Sequence, residues 1–234
     1  MSALRLVLGI DTAQRQGSIA LAENGVAIAW EALSPGMHSS GLTDAAARIL
    51  SGRNLDLGGL AGIAVSSGPG SFTGLRIGLA WAKGACMGRS LRLALVSEHE
   101  VSAYRHRRLG GRIATVLQGE RGEVQAALWS GGDAVLCLWG PERIHETELV
   151  AALREAAADT SSVTVAGPDL GVPILASLIG AGFRLASEDS LPPSAAAVAE
   201  LGDRNLILGR AEDLAQAAPS YGRAPNARKP SPSP

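Results

Sequence analysis

Two places in the chain carry side chains at a spacing that could do chemistry. The first is Asp11-Thr12, which closes the apolar run Leu4–Ile10. A carboxylate and a hydroxyl at a strand end can orient a phosphate or a metal-bound water. The same pair also closes turns, through side-chain to backbone hydrogen bonds. The second is Gly68-Pro69-Gly70-Ser71, between the strand-like run Ala61–Val65 and a helix. Free N–H groups at a helix start, with the helix dipole behind them, favour an anion. Asp11, Thr12, Gly70 and Ser71 are therefore the candidate nucleotide or phosphate contacts, against the plainer alternative of a tight strand-to-helix turn. The stretch is no P-loop, because Thr73-Gly74-Leu75 stands where that motif needs Gly-Lys-Ser/Thr.

Other chemistry is thinly supplied. His38, His99, His106 and His145 give no pair at metal-ligand spacing. No Gly-x-Ser-x-Gly elbow occurs, and neither Cys86 nor Cys137 sits in a catalytic pattern. Both cysteines lie in apolar sequence and read as buried free thiols. The clusters Tyr104–Arg108 and Arg223–Lys229 read as solvated basic faces, with RNA contact as the alternative.

The elements that must position Asp11 and the glycine-rich loop follow from the hydrophobic pattern. Leu4–Ile10, Gly17–Glu23 and Val26–Trp30 read as a three-stranded meander whose first turn carries Asp11, Thr12 and Gln14 and whose second is Asn24-Gly25. Ser39 or Ser40 caps a helix with Leu42, Ala45, Ala46 and Ile49 on one face. After the loop comes a helix with glycines at 78 and 84 in its interior, each costing about 1 kcal/mol relative to alanine. Gly74, Gly78, Trp81, Ala85 and Gly88 form a thin ridge on it, beside an apolar stripe of Leu75, Leu79, Ala82 and Cys86. Such a ridge invites another backbone, from its own sheet or from another protein. Leu91–Val96 reads as the next strand.

The order then returns. Ile113–Leu117, Glu123–Trp129 and Ala134–Trp139 predict a second meander, turning at Gly119–Gly122 and Gly131-Gly132. A helix over Glu146–Ala158 and a strand over Val163–Ala166 follow, as in the first half. The fold class is α/β, a duplicated ribonuclease-H-like architecture of two lobes, each a mixed sheet flanked by helices. In that architecture a nucleotide lies between the lobes. At the place matching Asp11 the second lobe has Gln118, which neither acts as a base nor grips a metal. Helices are expected at Ala195–Leu201 and Asn205–Ala218, and the tail from residue 219 reads as extended or disordered. The division is then 1–98 for the first lobe, 99–203 for the second, 204–218 for a C-terminal helix returning to the first lobe, and 219–234 for the tail.

Composition narrows the class. Of 234 residues 46% are hydrophobic and 18% charged, and the net charge is −1, which argues against gripping nucleic acid through its phosphates. The N-terminal apolar run is too short for a signal peptide or membrane span, which predicts a cytoplasmic protein without membrane contact.

The stretch SGPGSFTGLRIGLAWAKG at 67–84 resembles the hallmark of the bacterial TsaB (YeaZ) family. LVLGIDTA with SIALAENG, the His38-Ser39 pair, Arg121-Gly122-Glu123-Val124 and the ending Pro219–Lys229 resemble it too, so the likeness runs over nearly the whole chain. The resemblance implies a two-lobed fold of the actin-like, sugar-kinase and Hsp70 superfamily. It implies a part in making N6-threonylcarbamoyladenosine at position 37 of tRNAs that read ANN codons. The implied role is that of a non-catalytic scaffold pairing with a metal-bearing TsaD-like transferase and a TsaE-like ATPase, meeting tRNA through the complex. It further implies a heterodimer face on the first two helices, roughly Ser39–Leu50 and Thr73–Met87 here, with Ser39, Leu42, Ala46, Ile49, Gly74, Gly78, Trp81 and Ala85 as the interface residues. A homodimer through the same helices is the expected state without the partner. No catalytic or metal-binding residue is implied, and ATP or ADP at the lobe interface or in the complex is the cofactor alternative. The Asp-Ala-Arg sequence and tyrosine common in the family's second hairpin are replaced by Gln118, Gly119 and Gln125, which weakens the case for hydrolysis. The rival function is an ATP-dependent phosphotransferase or ATPase using Asp11 and Thr12.

Overall fold

The computed structural model describes residues 4–34, 40–167, 170–188 and 191–221. Ser39, the cluster Arg223–Lys229 and most of the tail lie outside the described residues.

The first meander forms as its pattern predicts: β1 (Leu6–Asp11), β2 (Ser18–Glu23) and β3 (Val26–Ala32). Asn24 and Gly25 both take positive φ at the β2–β3 turn, the geometry that fits the twist of a tight hairpin. The chain continues through α1 (Ser40–Ser51), β4 (Gly62–Gly68), α2 (Phe72–Cys86) and β5 (Arg92–Ser97). The sheet order is β3-β2-β1-β4-β5, with β1 antiparallel to β2 and parallel to β4.

The second lobe repeats this. After α3 (Glu98–Arg105), strands β6 (Arg112–Gln118), β7 (Glu123–Ser130) and β8 (Cys137–His145) precede α4 (Leu149–Ala157), β9 (Val163–Ala166), α5 (Val172–Gly180) and β10 (Arg184–Leu185). Its order β10-β9-β6-β7-β8 matches the first sheet strand for strand, again with one antiparallel hairpin pair and one parallel neighbour about the first strand. The third strand starts later than the predicted Ala134–Trp139. Gly131 and Gly132 donate to the carbonyls of Gly111 and Arg107, so they hold the loop to the segment after α3 instead of closing a two-residue turn. This shift also exposes Cys137, whereas Cys86 is buried as predicted, its thiol pushed up to about 11 by burial.

The two terminal helices are exchanged between lobes. α3 ends the first lobe in sequence and keeps Val101 against Val96 of the first sheet, but packs Ala103 and Tyr104 against Ile113, Ala127 and Trp129 of the second. α6 (Ser194–Ile207) ends the second lobe but lies on the first sheet, with Val198, Leu201 and Leu206 against Val7, Ala64, Ala94 and Val96. Its alanines 195, 196 and 199 meet Ala20 and Ala22, so small residues line both sides of this contact. A Cβ on Gly202 would come 2.1 Å from that of Ala64, which fixes glycine there. Arg5 clamps the helix from the sheet edge through two bonds to Asp203, at 2.8 and 2.9 Å. The predicted helix Asn205–Ala218 is corrected: α6 stops at Ile207, where Gly209 takes φ +73° and turns the chain. The chain then runs back along the first sheet, donating from Glu212 N to Leu93 O and from Ser220 N to Ser67 O.

Candidate functional site

Asp11 ends β1 and is fully buried. Its Oδ1 accepts from Ala13 N at 2.8 Å, closing the turn, and its Oδ2 accepts from Ser194 Oγ at the start of α6. Ser18 Oγ accepts from Ala195 N at 3.2 Å, so the β1–β2 turn also caps α6. Beside Asp11 lies Glu98, the first residue of α3, also buried. Glu98 accepts from Ser66 Oγ and, at 2.7 Å, from Gln14 Nε2. Burial first, and the Asp11 charge second, push its carboxyl up to about 8, so it holds its proton at neutral pH. Glu98 lines a cleft between the lobes of about 600 Å³, bordered by Gln14–Ser18, Arg105, Glu188 and Ser194, with Asp11 buried behind it. Sequence reasoning found Asp11 and noted Gln14 but missed Glu98, Ser66 and Ser194, which no motif connects.

The glycine-rich loop is turned inward. Ser71 N donates to Ala13 O at 2.8 Å, and a Cβ on Gly70 would meet that carbonyl at 2.7 Å. Ser71 Oγ accepts from Gly74 N at 3.2 Å as the N-cap of α2. Thr12 Oγ1 donates to Gly74 O at 2.7 Å. A Cβ on Gly74 would lie 1.9 Å from Thr12 O, and one on Gly78 2.3 Å from Thr12 Oγ1. The structure thus brings Asp11, Thr12, Gly70 and Ser71 together, but their polar atoms bond to one another's elements. The predicted anion cradle is corrected to a loop that fastens α2 onto the β1 turn.

The predicted contact ridge needs a similar correction. Gly74, Gly78 and Ala85 are buried against their own lobe. Leu42, Ala46 and Ile49 pack in the first sheet's core with Leu8, Ile19 and Leu21. The amphipathic face of α1 covers its own sheet, because an uncovered apolar sheet face is unfavourable in water. What α1 and α2 show outward is another set. Thr43, Ala47, Ala80 and Gly84 are exposed, with Ile77 and Trp81 half-buried among them. Trp81 Nε1 donates to Thr43 Oγ1 at 3.0 Å across a groove of about 580 Å³ between the two helices. Nothing lies within 4 Å of where a Cβ on Gly84 would stand.

Among the described residues no group of three or more His, Cys, Asp or Glu side chains could hold a metal ion. Among them, too, no helix is long and apolar enough to cross a membrane.

Two sheets of one topology, with their terminal helices exchanged across a cleft, define a two-lobed actin-like fold. A ROK hexokinase from Thermus thermophilus shares it at TM-score 0.51 and 13% identity, over 87% of this chain and all of that one. YeaZ from Pseudomonas aeruginosa matches at TM-score 0.75 and 23% identity, over 93% of this chain and 99% of that one. In sequence, the chain is 32% identical over 150 residues to the tRNA threonylcarbamoyladenosine biosynthesis protein TsaB of Escherichia coli, and 30% over 131 residues to that of Bacillus subtilis. The matches cover 60% and 56% of this chain and 64% and 57% of those proteins, less than two thirds of their length. The family model for TsaD, tRNA N6-adenosine threonylcarbamoyltransferase, matches residues 33–136. The chain is thus similar in sequence to TsaB proteins over somewhat more than half its length, and similar in fold to YeaZ over nearly all of it.

Proposed function

We propose that this chain acts in tRNA threonylcarbamoyladenosine biosynthesis as a non-catalytic scaffold that pairs with a TsaD-type transferase. The role its relatives are named for supports the pathway. One observation carries the scaffold role: the buried acids Asp11 and Glu98 are both engaged inside the chain. Asp11 bonds to Ala13 and Ser194, and Glu98 to Ser66 and Gln14. A base or metal ligand for nucleotide hydrolysis would need an oxygen open to the cleft, and Asp11 has no exposed surface. The partner surface is the outward side of α1 and α2, where Ala47, Ile77, Ala80 and Gly84 let another helix approach closely beside Trp81. Without the partner, the same face pairs two copies of this chain. A TsaE-type ATPase joins the assembled complex, and tRNA is met through that complex.

Co-purification with the TsaD-type protein of the same organism tests this. A stable heterodimer is expected, lost in Ala80→Arg/Gly84→Arg with an unchanged melting temperature, since both positions face solvent. Failure of the wild-type chain to bind, or binding indifferent to the two arginines, overturns the assignment. ATP turnover by the isolated chain would favour the phosphotransferase alternative at Asp11 and Thr12.

A further inference from the structure

On the opposite side of α3 from Asp11 lies a second interlobe cavity, of about 450 Å³. It opens between the ends of β4 and β5, which bring Ser67 and Ser97, and strands β7 and β8, which bring Gln125 and Arg143. His99 lines it from α3, and Ser220 closes one side. His99 is 1% exposed. Its Nδ1 lies 2.8 Å from Thr115 Oγ1, which also accepts from Trp129 Nε1 at 2.9 Å. The Thr115 hydroxyl proton has two acceptors in reach, His99 Nδ1 and the Ala127 carbonyl at a long 3.5 Å. With the hydroxyl proton directed to the nearer of the two, His99 Nδ1 is an acceptor and the ring proton sits on Nε2, the tautomer the inference below rests on. That Nε2 is buried and has no hydrogen-bond partner among the described residues.

A buried donor left unmet is unfavourable, and native chains seldom keep one without a ligand or water to meet it. The rest of the wall says which kind of ligand. Hydroxyls of Ser97 and Ser220, the Gln125 amide and the Arg143 guanidinium can all donate, while the Ser67 hydroxyl already donates to Val96 O at 3.2 Å. No carboxylate lines the cavity among the described residues. Glu123 holds Arg143 only loosely, at 3.8 Å with both side chains solvated, so the guanidinium can turn inward. The N-terminus of α3, capped by Ser97, adds positive potential at the same wall.

We infer that this cavity binds a small oxyanion, a phosphoryl or carboxylate group of a metabolite, with His99 Nε2–H and Arg143 as its two main donors. It is separate from the α1–α2 face and does not depend on which protein docks there. Deep burial keeps His99 neutral, its value pushed down to about 4, so the donor needs no protonation to act.

Long-range 1H–15N spectra of the histidine rings in the full chain test the site, with inorganic phosphate in one titration and citrate in another. The free protein should show His99 as the Nε2–H tautomer. A saturable shift of that nitrogen and of the Gln125 side-chain amide is expected with at least one probe, and the probe that succeeds identifies the oxyanion. Arg143→Ala should weaken binding about tenfold, the scale of one charge-assisted hydrogen bond. His99→Phe removes the Nε2 donor and should abolish it. If His99→Phe does not fold, the wild-type titration alone decides. The inference is overturned by the Nδ1–H tautomer, by no saturable shift with either probe, or by binding that survives in a folded His99→Phe. It is also overturned if deleting residues 222–234 shifts His99 Nε2 with no anion present, since the chain's own tail would then be the occupant.

Discussion

Glu98 shows how a single buried group ties sequence to behaviour. Nothing in its neighbourhood marks it as unusual, because Ser66 and Asp11, which make it so, are 32 and 87 residues away in the chain. Asp11 was legible, since a carboxylate ending an apolar run belongs in a turn, and the turn bond to Ala13 is there. Its second bond, to Ser194, was not legible, because only the folded path of α6 brings that serine near. The carboxyl of Glu98 is raised from an ordinary 4.5 to about 8, chiefly by burial. Between those pH values the folded chain holds a proton that the unfolded chain has lost, so stability falls as pH rises through the window and levels off above it. Glu98→Gln keeps a neutral amide in the same place and removes this dependence. The melting temperature of the variant relative to the parent should therefore climb from about pH 5 to about pH 8 and then stay flat. Parallel profiles for the two proteins would show that Glu98 is not held protonated.

At the scale of elements, α2 is the instructive case. Its glycines were readable as a demand for close approach, but periodicity alone cannot say which neighbour approaches. Gly74 and Gly78 answer to Thr12 of the same lobe, while Gly84 faces open solvent. The two classes should separate in urea unfolding. Gly74→Ala drives a methyl onto the Thr12 carbonyl and should destabilise by about 1–3 kcal/mol. Gly84→Ala meets nothing and should stabilise by up to about 1 kcal/mol through helix propensity. Equal effects at both sites would contradict the packing of α2 on β1. Elsewhere, β1 to β9 were legible from alternation and turn residues, while the two-residue β10 and the helix limits were not. α5 was missed because its Val-Pro-Ile-Leu run is apolar all round and gives no face. α3 was missed because Glu98, His99, Glu100 and Arg105 make it read as polar, although His99 and Glu98 are buried where it crosses between sheets. α6 was read as two pieces, with the second carried past Gly209.

For the whole molecule, the duplicated order of strands and helices was the most legible feature, because it repeats without any residue having to repeat. The exchange of α3 and α6 was invisible, since it depends on which sheet an apolar helix face meets. Each lobe's sheet owes one of its two covers to the other half of the chain. The lobes should therefore melt together. Calorimetry is expected to give one transition with equal calorimetric and van't Hoff enthalpies, where independent lobes would give two.

The placement of α6 has a consequence for birth on the ribosome. The inner face of the first sheet, with Val7, Ala64 and Val96, is finished when β5 emerges, yet its cover begins only at Ser194. At ordinary elongation rates of about 5–20 residues per second, that face waits on the order of 5–20 s for its helix. During that interval the nascent first lobe is a natural client for a chaperone, and a helix that emerges only from Ser194 seals the sheet that began at Leu6.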